Sequence, residues 1–178
     1  MSTACGRLST SRRPDVRVKT TRDGRVSAQF DAVEREMLTQ LTSELIDLLT
    51  QTDAGPDAAA DPALPRDPAL ERLLPDAYQD DAEAAAEFRR FTEDDLVALK
   101  TGNALTLARA AATAGAVILA EPEVLPWLRA ITDLRLALAT RLGIETDDDE
   151  GSDDSDLAPA KAAYWWLGEL QERLIRAL

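Results

Sequence analysis

Carboxylates are the side chains most capable of chemistry in this sequence of 178 residues. Glu83 and Glu87 stand four residues apart, which places them on one face of a helix, as in carboxylate-bridged metal bundles. Those bundles also use histidine, and the chain contains none. Without histidine the chain also lacks the side chain that most often acts as an acid or base at neutral pH. We therefore interpret both glutamates as surface charge, and we keep a carboxylate-dependent metal-binding enzyme as the alternative.

A second acidic cluster places seven carboxylates between residues 147 and 156. Clustered carboxylates suit Ca²⁺, but the EF-hand spacing fails here. With Gly151 at loop position six, Leu157 would occupy position twelve, where that loop requires a glutamate. We interpret this run as a solvated, self-repelling loop, mobile near residues 146–158, with a docking surface for a basic partner as the alternative. No metal site and no cofactor are predicted.

Cys5 is the only cysteine, so an intramolecular disulfide cannot form and any thiol switch must be intermolecular. It remains the one candidate redox residue. The sequence also lacks the GxxxxGK[ST], GxGxxG and GxSxG patterns, and we predict that the protein is not an enzyme. The apolar stretch 104–120 is shorter than the roughly 20 residues that a membrane helix needs. We expect a cytoplasmic protein with no membrane contact.

The net charge of −13 is unevenly distributed along the chain. Residues 1–25 carry +5, which leaves −18 for the remainder. An acidic body repels the phosphate backbone of nucleic acids, so the charge argues against direct nucleic-acid binding except through the basic arm. We interpret residues 1–14 as a disordered basic tail.

Arg89 and Arg90 lie between two aromatic residues in the segment Glu87-Phe88-Arg89-Arg90-Phe91-Thr92. Two arginines beside aromatic rings could bind an anion or contact an acidic partner. We favour ion pairs with neighbouring acids, with Phe88 and Phe91 packing inward. Both arginines stay candidate partner-binding residues.

Hydrophobic spacing predicts mainly helices. Two short strands joined at Asp23-Gly24 precede a helix that Asp31 and Glu34 cap. A proline-rich mobile loop at residues 51–68 follows. A short helix then starts at Asp67-Pro68, a second runs from Asp80 or Asp81 to Phe91, and a third spans Thr92 to about Leu119.

The last third of the chain carries two apolar helices. The first places Arg135 on the flank of a stripe formed by Trp127, Ile131, Leu134 and Leu138, so we predict that its guanidinium pairs with a carboxylate. The second carries a stripe formed by Leu167, Leu170, Leu174 and Leu178. Trp165 and Trp166 point about 100° apart on a helix, which suggests a homodimer. The fold prediction is a bundle of about five or six helices with an N-terminal β-hairpin or ribbon, forming one domain over residues 15–178.

The sequence resembles the actinobacterial family catalogued as domain of unknown function 2017. The matching segments cover roughly residues 25–178. They are Leu73-Leu74-Pro75-Asp76-Ala77-Tyr78, Glu87-Phe88-Arg89-Arg90-Phe91-Thr92, Trp127-Leu128 with Asp133-Leu134-Arg135-Leu136, and Tyr164-Trp165-Trp166-Leu167 with Leu170-Gln171-Glu172.

The resemblance implies a cytoplasmic regulatory protein that binds a protein partner. Relatives in this family are oxidative-stress regulators of transcription that work with an alternative sigma factor. Family members are usually encoded beside the Clp protease adaptor, so an adaptor associated with Clp proteolysis is an alternative. No catalytic residues come with the resemblance. The candidate partner is a sigma factor or RNA polymerase, and the candidate partner-binding residues are Arg89, Arg90, Asp133, Arg135 and Trp165.

Overall fold

A computed structural model describes residues 17–50, 67–78, 80–146 and 148–178. Within these ranges the chain forms five α-helices, one short 3₁₀ helix and a three-stranded sheet. The mainly helical prediction is confirmed. The predicted tail at residues 1–14 and most of the predicted loop at residues 51–68 lie outside the described residues. None of the described helices is both long and apolar enough to cross a bilayer.

The small antiparallel sheet has the strand order β1-β2-β3, formed by Arg17–Thr20, Val26–Gln29 and Ala116–Leu119. Gly24, in the turn between β1 and β2, has a φ of 78°, a conformation that glycine adopts without steric cost. Strand β3 corrects the prediction of a helix reaching Leu119. The helix ends at Ala112, because Thr113 is extended with a ψ of 126°. Gly115, with a φ of 98°, lies in the turn that follows, and the β-branched residues after it pair with the open edge of β2.

Helix α1 (Ala32–Thr50) begins where the sequence predicts. The Glu34 N–H donates to Asp31 Oδ1 at 2.9 Å, and the Asp31 N–H donates to Glu34 Oε2 at 2.8 Å. This reciprocal pair is the predicted capping box. The apolar face of α1 packs mainly on the next long helix, and its buried leucines are Leu38, Leu45, Leu48 and Leu49.

Helix α2 (Pro68–Leu73) also starts where predicted, with the Asp67 carboxylate accepting from the Ala69 N–H at 2.7 Å. Helix α3 (Ala82–Ala112) is one continuous helix of 31 residues, so the predicted break at Phe91–Thr92 is wrong. The Thr92 hydroxyl donates to the Phe88 carbonyl one turn earlier, at 2.9 Å, instead of capping a new helix. A threonine bonded in this way can remain within a helix.

Helix α4 (Glu121–Leu142) is the central helix, since it contacts all four other helices, and helix α5 (Ala158–Arg176) packs mainly on it. The predicted stripe on α4 is buried throughout. On α5 the stripe is buried up to Leu174, whereas Leu178, beyond the helix end, is 58% exposed. Phe30 joins the two helices, because its ring centroid lies 6.0 Å from that of Trp127 and 6.3 Å from that of Trp166.

The acidic connection between α4 and α5 begins at Gly143, which has a φ of 68°. Asp149 folds back, and its carboxylate accepts from the Thr146 and Glu145 N–H groups at 2.8 Å each. These two bonds hold the pKa of Asp149 below its ordinary value. The mobility expected near residues 146–158 stays a prediction.

Candidate protein-binding surface

The five candidate partner-binding residues lie in three separate places. Arg89 and Arg90 are on the N-terminal half of α3, and Asp133 lies between α3 and α4. Arg135 of α4 and Trp165 of α5 both contact Tyr164. The structure therefore does not assemble them into one site. The candidate redox residue, Cys5, lies outside the described residues.

Phe88 and Phe91 on the N-terminal half of α3, together with Tyr78 in the segment that precedes this helix, form what we call the aromatic patch. These side chains are 44%, 67% and 51% exposed, so the prediction that Phe88 and Phe91 pack inward is wrong. The rings of Tyr78 and Phe88 meet edge to face with centroids 6.0 Å apart. Most side chains on this part of α3 are exposed, and between residues 83 and 96 Ala85 alone is buried.

Both arginines of this segment border the aromatic patch. Arg89 Nη1 lies 3.0 Å from Asp76 Oδ1, and both side chains are more than a third exposed. This contact is the predicted ion pair with a neighbouring acid. The Arg90 guanidinium lies 5.3 Å from the centroid of the Phe91 ring, a cation–π distance. Arginines and exposed aromatic rings are common at the energetic centres of protein interfaces.

Asp133, one of the candidate partner-binding residues, is buried. It is 4% exposed, and its Oδ1 lies 2.6 Å from Lys100 Nζ. Burial raises the pKa of Asp133, and the hydrogen bond and charge of Lys100 partly oppose this effect. The ion pair fixes α4 against α3, so Asp133 is better suited to holding the two helices together than to contacting a partner.

An apolar groove lies above this ion pair, with a volume of about 420 Å³. We call it the leucine groove. Leu99 and Leu125 on its walls are about half exposed. The complete lining consists of Leu96, Leu99, Lys100, Asn103, Leu125, Leu128, Arg129, Thr132 and Asp133.

Arg135 is partly buried but has no carboxylate partner among the described residues, so the predicted ion pair is wrong. Its Nη1 donates to Gln171 Oε1 at 2.8 Å, and its Nη2 donates to the Tyr164 hydroxyl at 3.3 Å. The guanidinium also lies 4.8 Å from the centroid of the Tyr164 ring. Its Nε atom is buried without a hydrogen-bond acceptor.

The two adjacent tryptophans of α5 have opposite environments. Trp166 is buried and its indole N–H donates to Glu34 Oε1 at 3.2 Å. Trp165 is 53% exposed and meets the Tyr164 ring edge to face, with centroids 5.4 Å apart. Because Trp165 does not enter the core, its ring is accessible to a second copy of the chain. The homodimer stays a prediction.

Sequence reasoning did not identify Lys100 or Gln171 as partners of Asp133 and Arg135. Lys100 does carry a signal, because Leu96 four residues before it and Leu107 seven residues after it place it on an apolar helix face. A lysine on such a face requires either an acidic partner or a route to solvent. Gln171 carries no comparable signal, since its role depends on the packing of α5 against α4.

The carboxylates that could bind a metal do not converge in the described part of the chain. There, no three acidic residues lie close enough together to hold an ion. Glu83 and Glu87 are both exposed on α3. Nothing in this arrangement supports the metal-enzyme alternative.

Comparison with known proteins identifies relatives. The sequence model of the family described as domain of unknown function (DUF2017) matches residues 13–178. The chain is also similar to the proteins named oxidative stress regulator AosR from Mycobacterium bovis and Mycobacterium tuberculosis. The identity is 30% over 184 aligned positions, which cover 89% of this chain and 84% of each relative. No solved structure matches the chain at a significant level.

Proposed function

The chain belongs to the DUF2017 family, and from this premise we propose that it is a non-enzymatic regulator that binds a protein partner in the response to oxidative stress. The name of the mycobacterial relatives supports the regulatory role, since the similarity extends over most of both chains. The relatives' name does not specify a partner. The proposal therefore depends on what the surface of this chain can bind.

The aromatic patch is the observation that carries the proposal. Phe88 and Phe91 on α3 and Tyr78 in the segment before it are each 44% or more exposed, and two arginines border them. Exposing such rings to water is unfavourable by roughly 25 cal/mol for each Å² of apolar surface. A partner that covers the patch recovers this free energy, and grouped exposed apolar side chains commonly mark interaction sites.

Charge indicates the kind of partner. Outside residues 1–25 the chain carries −18, and a body this acidic attracts a basic surface and accelerates the encounter with it. Sigma factors and RNA polymerase have such surfaces because they bind nucleic acid. We accordingly name a sigma factor or RNA polymerase as the partner, with action on transcription as the consequence.

Affinity capture from the native cell, with and without oxidant, tests this proposal. We expect the wild-type protein to retain a sigma factor or RNA polymerase, and Phe88→Ser/Phe91→Ser to lose most of it. Val33→Ser is the matched control, since Val33 is also apolar and 74% exposed but lies on α1. Equal capture by the patch variant and the control would reject the aromatic patch as the contact. Recovery of Clp components alone would reject transcription in favour of proteolysis.

A further inference from the structure

A second cavity lies further along α4, toward its C-terminal end, and shares Thr132 with the leucine groove. Its volume is about 200 Å³. We call it the arginine pocket, because Arg72 of α2 and Arg135 of α4 both line it. Glu145 and Thr146, at the start of the acidic connection, are exposed at its edge. Its complete lining consists of Arg72, Thr132, Arg135, Leu136, Ala139, Ile144, Glu145, Thr146, Tyr164 and Gln171.

Neither arginine of the pocket is neutralised by a described residue. Arg72 Nη1 donates to the Ile144 carbonyl at 3.0 Å. Arg135 donates only to the neutral Gln171 and Tyr164 side chains. Glu145 is the one acidic residue in the lining, and it forms no ion pair with either guanidinium. This is unusual in a chain of net charge −13, where acidic residues are abundant.

Helix α5 places a neutral residue at the position that faces Arg135. Glu169 and Glu172 flank Gln171 in sequence, but they pair along the helix with Arg173 and Arg176, each at 2.7 Å. Gln171 thus orients the guanidinium without cancelling its charge. Its amide also donates to the Thr132 hydroxyl at 2.9 Å, so the orienting group is itself held in place. A partly buried cation held in this way is preorganised for an anion from outside.

We propose that the arginine pocket binds a phosphate group. Two guanidinium groups supply several N–H donors that no described residue accepts, and the Tyr164 hydroxyl, which accepts from Arg135, can still donate its own hydrogen. This donor set exceeds what the two oxygens of a carboxylate require and suits the three or four oxygens of a phosphate. The pocket volume accommodates one such group. The phosphate is either inorganic phosphate or part of a small phosphorylated molecule.

Titration of ¹⁵N-labelled protein with inorganic phosphate, followed by NMR at constant ionic strength, tests the proposal. We expect saturable shifts of the guanidinium and backbone signals around Arg135 and Tyr164, with a Kd on the order of 1 mM. Acetate at the same ionic strength should bind at least about tenfold more weakly. A second titration with O-phosphoserine separates the sources: tighter binding than inorganic phosphate assigns the site to a phosphorylated molecule, and weaker binding assigns it to the free ion.

Two variants and a control complete the test. Arg72→Gln should weaken phosphate binding at least about tenfold. Gln171→Glu places a carboxylate on Arg135 inside the protein, so it should weaken binding similarly while raising Tm by a few degrees. Arg141→Gln, which removes an exposed arginine that pairs with Glu44 at 3.3 Å, should leave the affinity unchanged. Absence of saturable shifts, equal affinity for acetate, or undiminished binding by both pocket variants would overturn the proposal.

Discussion

Replacing Lys100 with methionine should lower the free energy of unfolding by about 3 kcal/mol at pH 7. The structure sets this magnitude, because Lys100 Nζ lies 2.6 Å from Asp133 Oδ1 and the two side chains are only 16% and 6% exposed. At an effective dielectric constant of about 20, the attraction at this distance is about 6 kcal/mol, and desolvation of both charges offsets much of it. Removing one partner leaves the other charge buried and unpaired, which typically costs about 3–5 kcal/mol.

The loss in the free energy of unfolding caused by Lys100→Met should be smaller at pH 5 than at pH 7. Burial already raises the pKa of Asp133 above its ordinary value of 3.8, and losing Lys100 removes the group that lowers it. The folded variant then retains a proton on Asp133 that the unfolded chain releases. Because the folded state binds the additional proton, stability falls as pH rises from 3.8 through the raised pKa of the folded state, and it is recovered as pH falls.

Urea unfolding at both pH values measures this prediction. Lys161→Met is the matched control, because the Asp153 partner of Lys161 is 97% exposed, and its loss should cost less than about 1 kcal/mol. The double variant Lys100→Met/Asp133→Leu should recover most of the lost stability, since an apolar pair of similar volume avoids the desolvation cost. A cost for Lys100→Met that equals the control, or that is the same at both pH values, would refute the reasoning.

Further predictions concern a cap and two glycines. Glu34→Ala should lower the free energy of unfolding by about 2 kcal/mol in urea, because the Asp31 backbone N–H and the buried Trp166 indole N–H both lose their acceptor. Glu34→Gln, which keeps an acceptor, should cost less. Gly102→Ala should raise stability by about 0.5–1 kcal/mol, since Gly102 lies within α3 with open space around a new Cβ. Gly143→Ala should lower stability by about 1 kcal/mol despite similar space, because its φ is 68°. Calorimetry of the two glycine variants should give opposite signs, and equal signs would contradict this backbone explanation.

Local features of the fold could be predicted from the sequence because their causes lie within a few residues. The capping box at Asp31 and Glu34 requires only the correct two side chains three residues apart. The helix start at Asp67-Pro68 has a similarly local cause. Glu34 also accepts a hydrogen bond from Trp166, which lies 132 positions away in the sequence. No local sequence pattern indicates this second contact.

Strand β3 and the continuity of α3 could not be predicted because they depend on tertiary partners. The segment Ala116–Leu119 is apolar and suits a helix or a strand, and the free edge of β2 decides between them. Thr92 matches a cap pattern, but the helix continues because its hydroxyl bonds back to Phe88. The site was predicted still less well, since the environments of Asp133 and Arg135 are set by Lys100 and Gln171 on other helices.

The two halves of α3 are anchored very differently, and this has a consequence for amide hydrogen exchange. The helix is about 46 Å long. Among residues 83–96, which include Phe88 and Phe91, Ala85 alone has a buried side chain. Residues 97–112, in contrast, contribute Val97, Ala104, Leu107, Ala110 and Ala111 to the core.

Opening the first half of α3 therefore exposes little apolar surface, and its amides should exchange far faster than those of the second half. The surface proposed for the partner is thus the least protected part of this helix. A bound partner should slow exchange within residues 83–96 and leave residues 97–112 unchanged. The exchange rates of residues 97–112 can therefore serve as an internal reference when partner binding at residues 83–96 is measured.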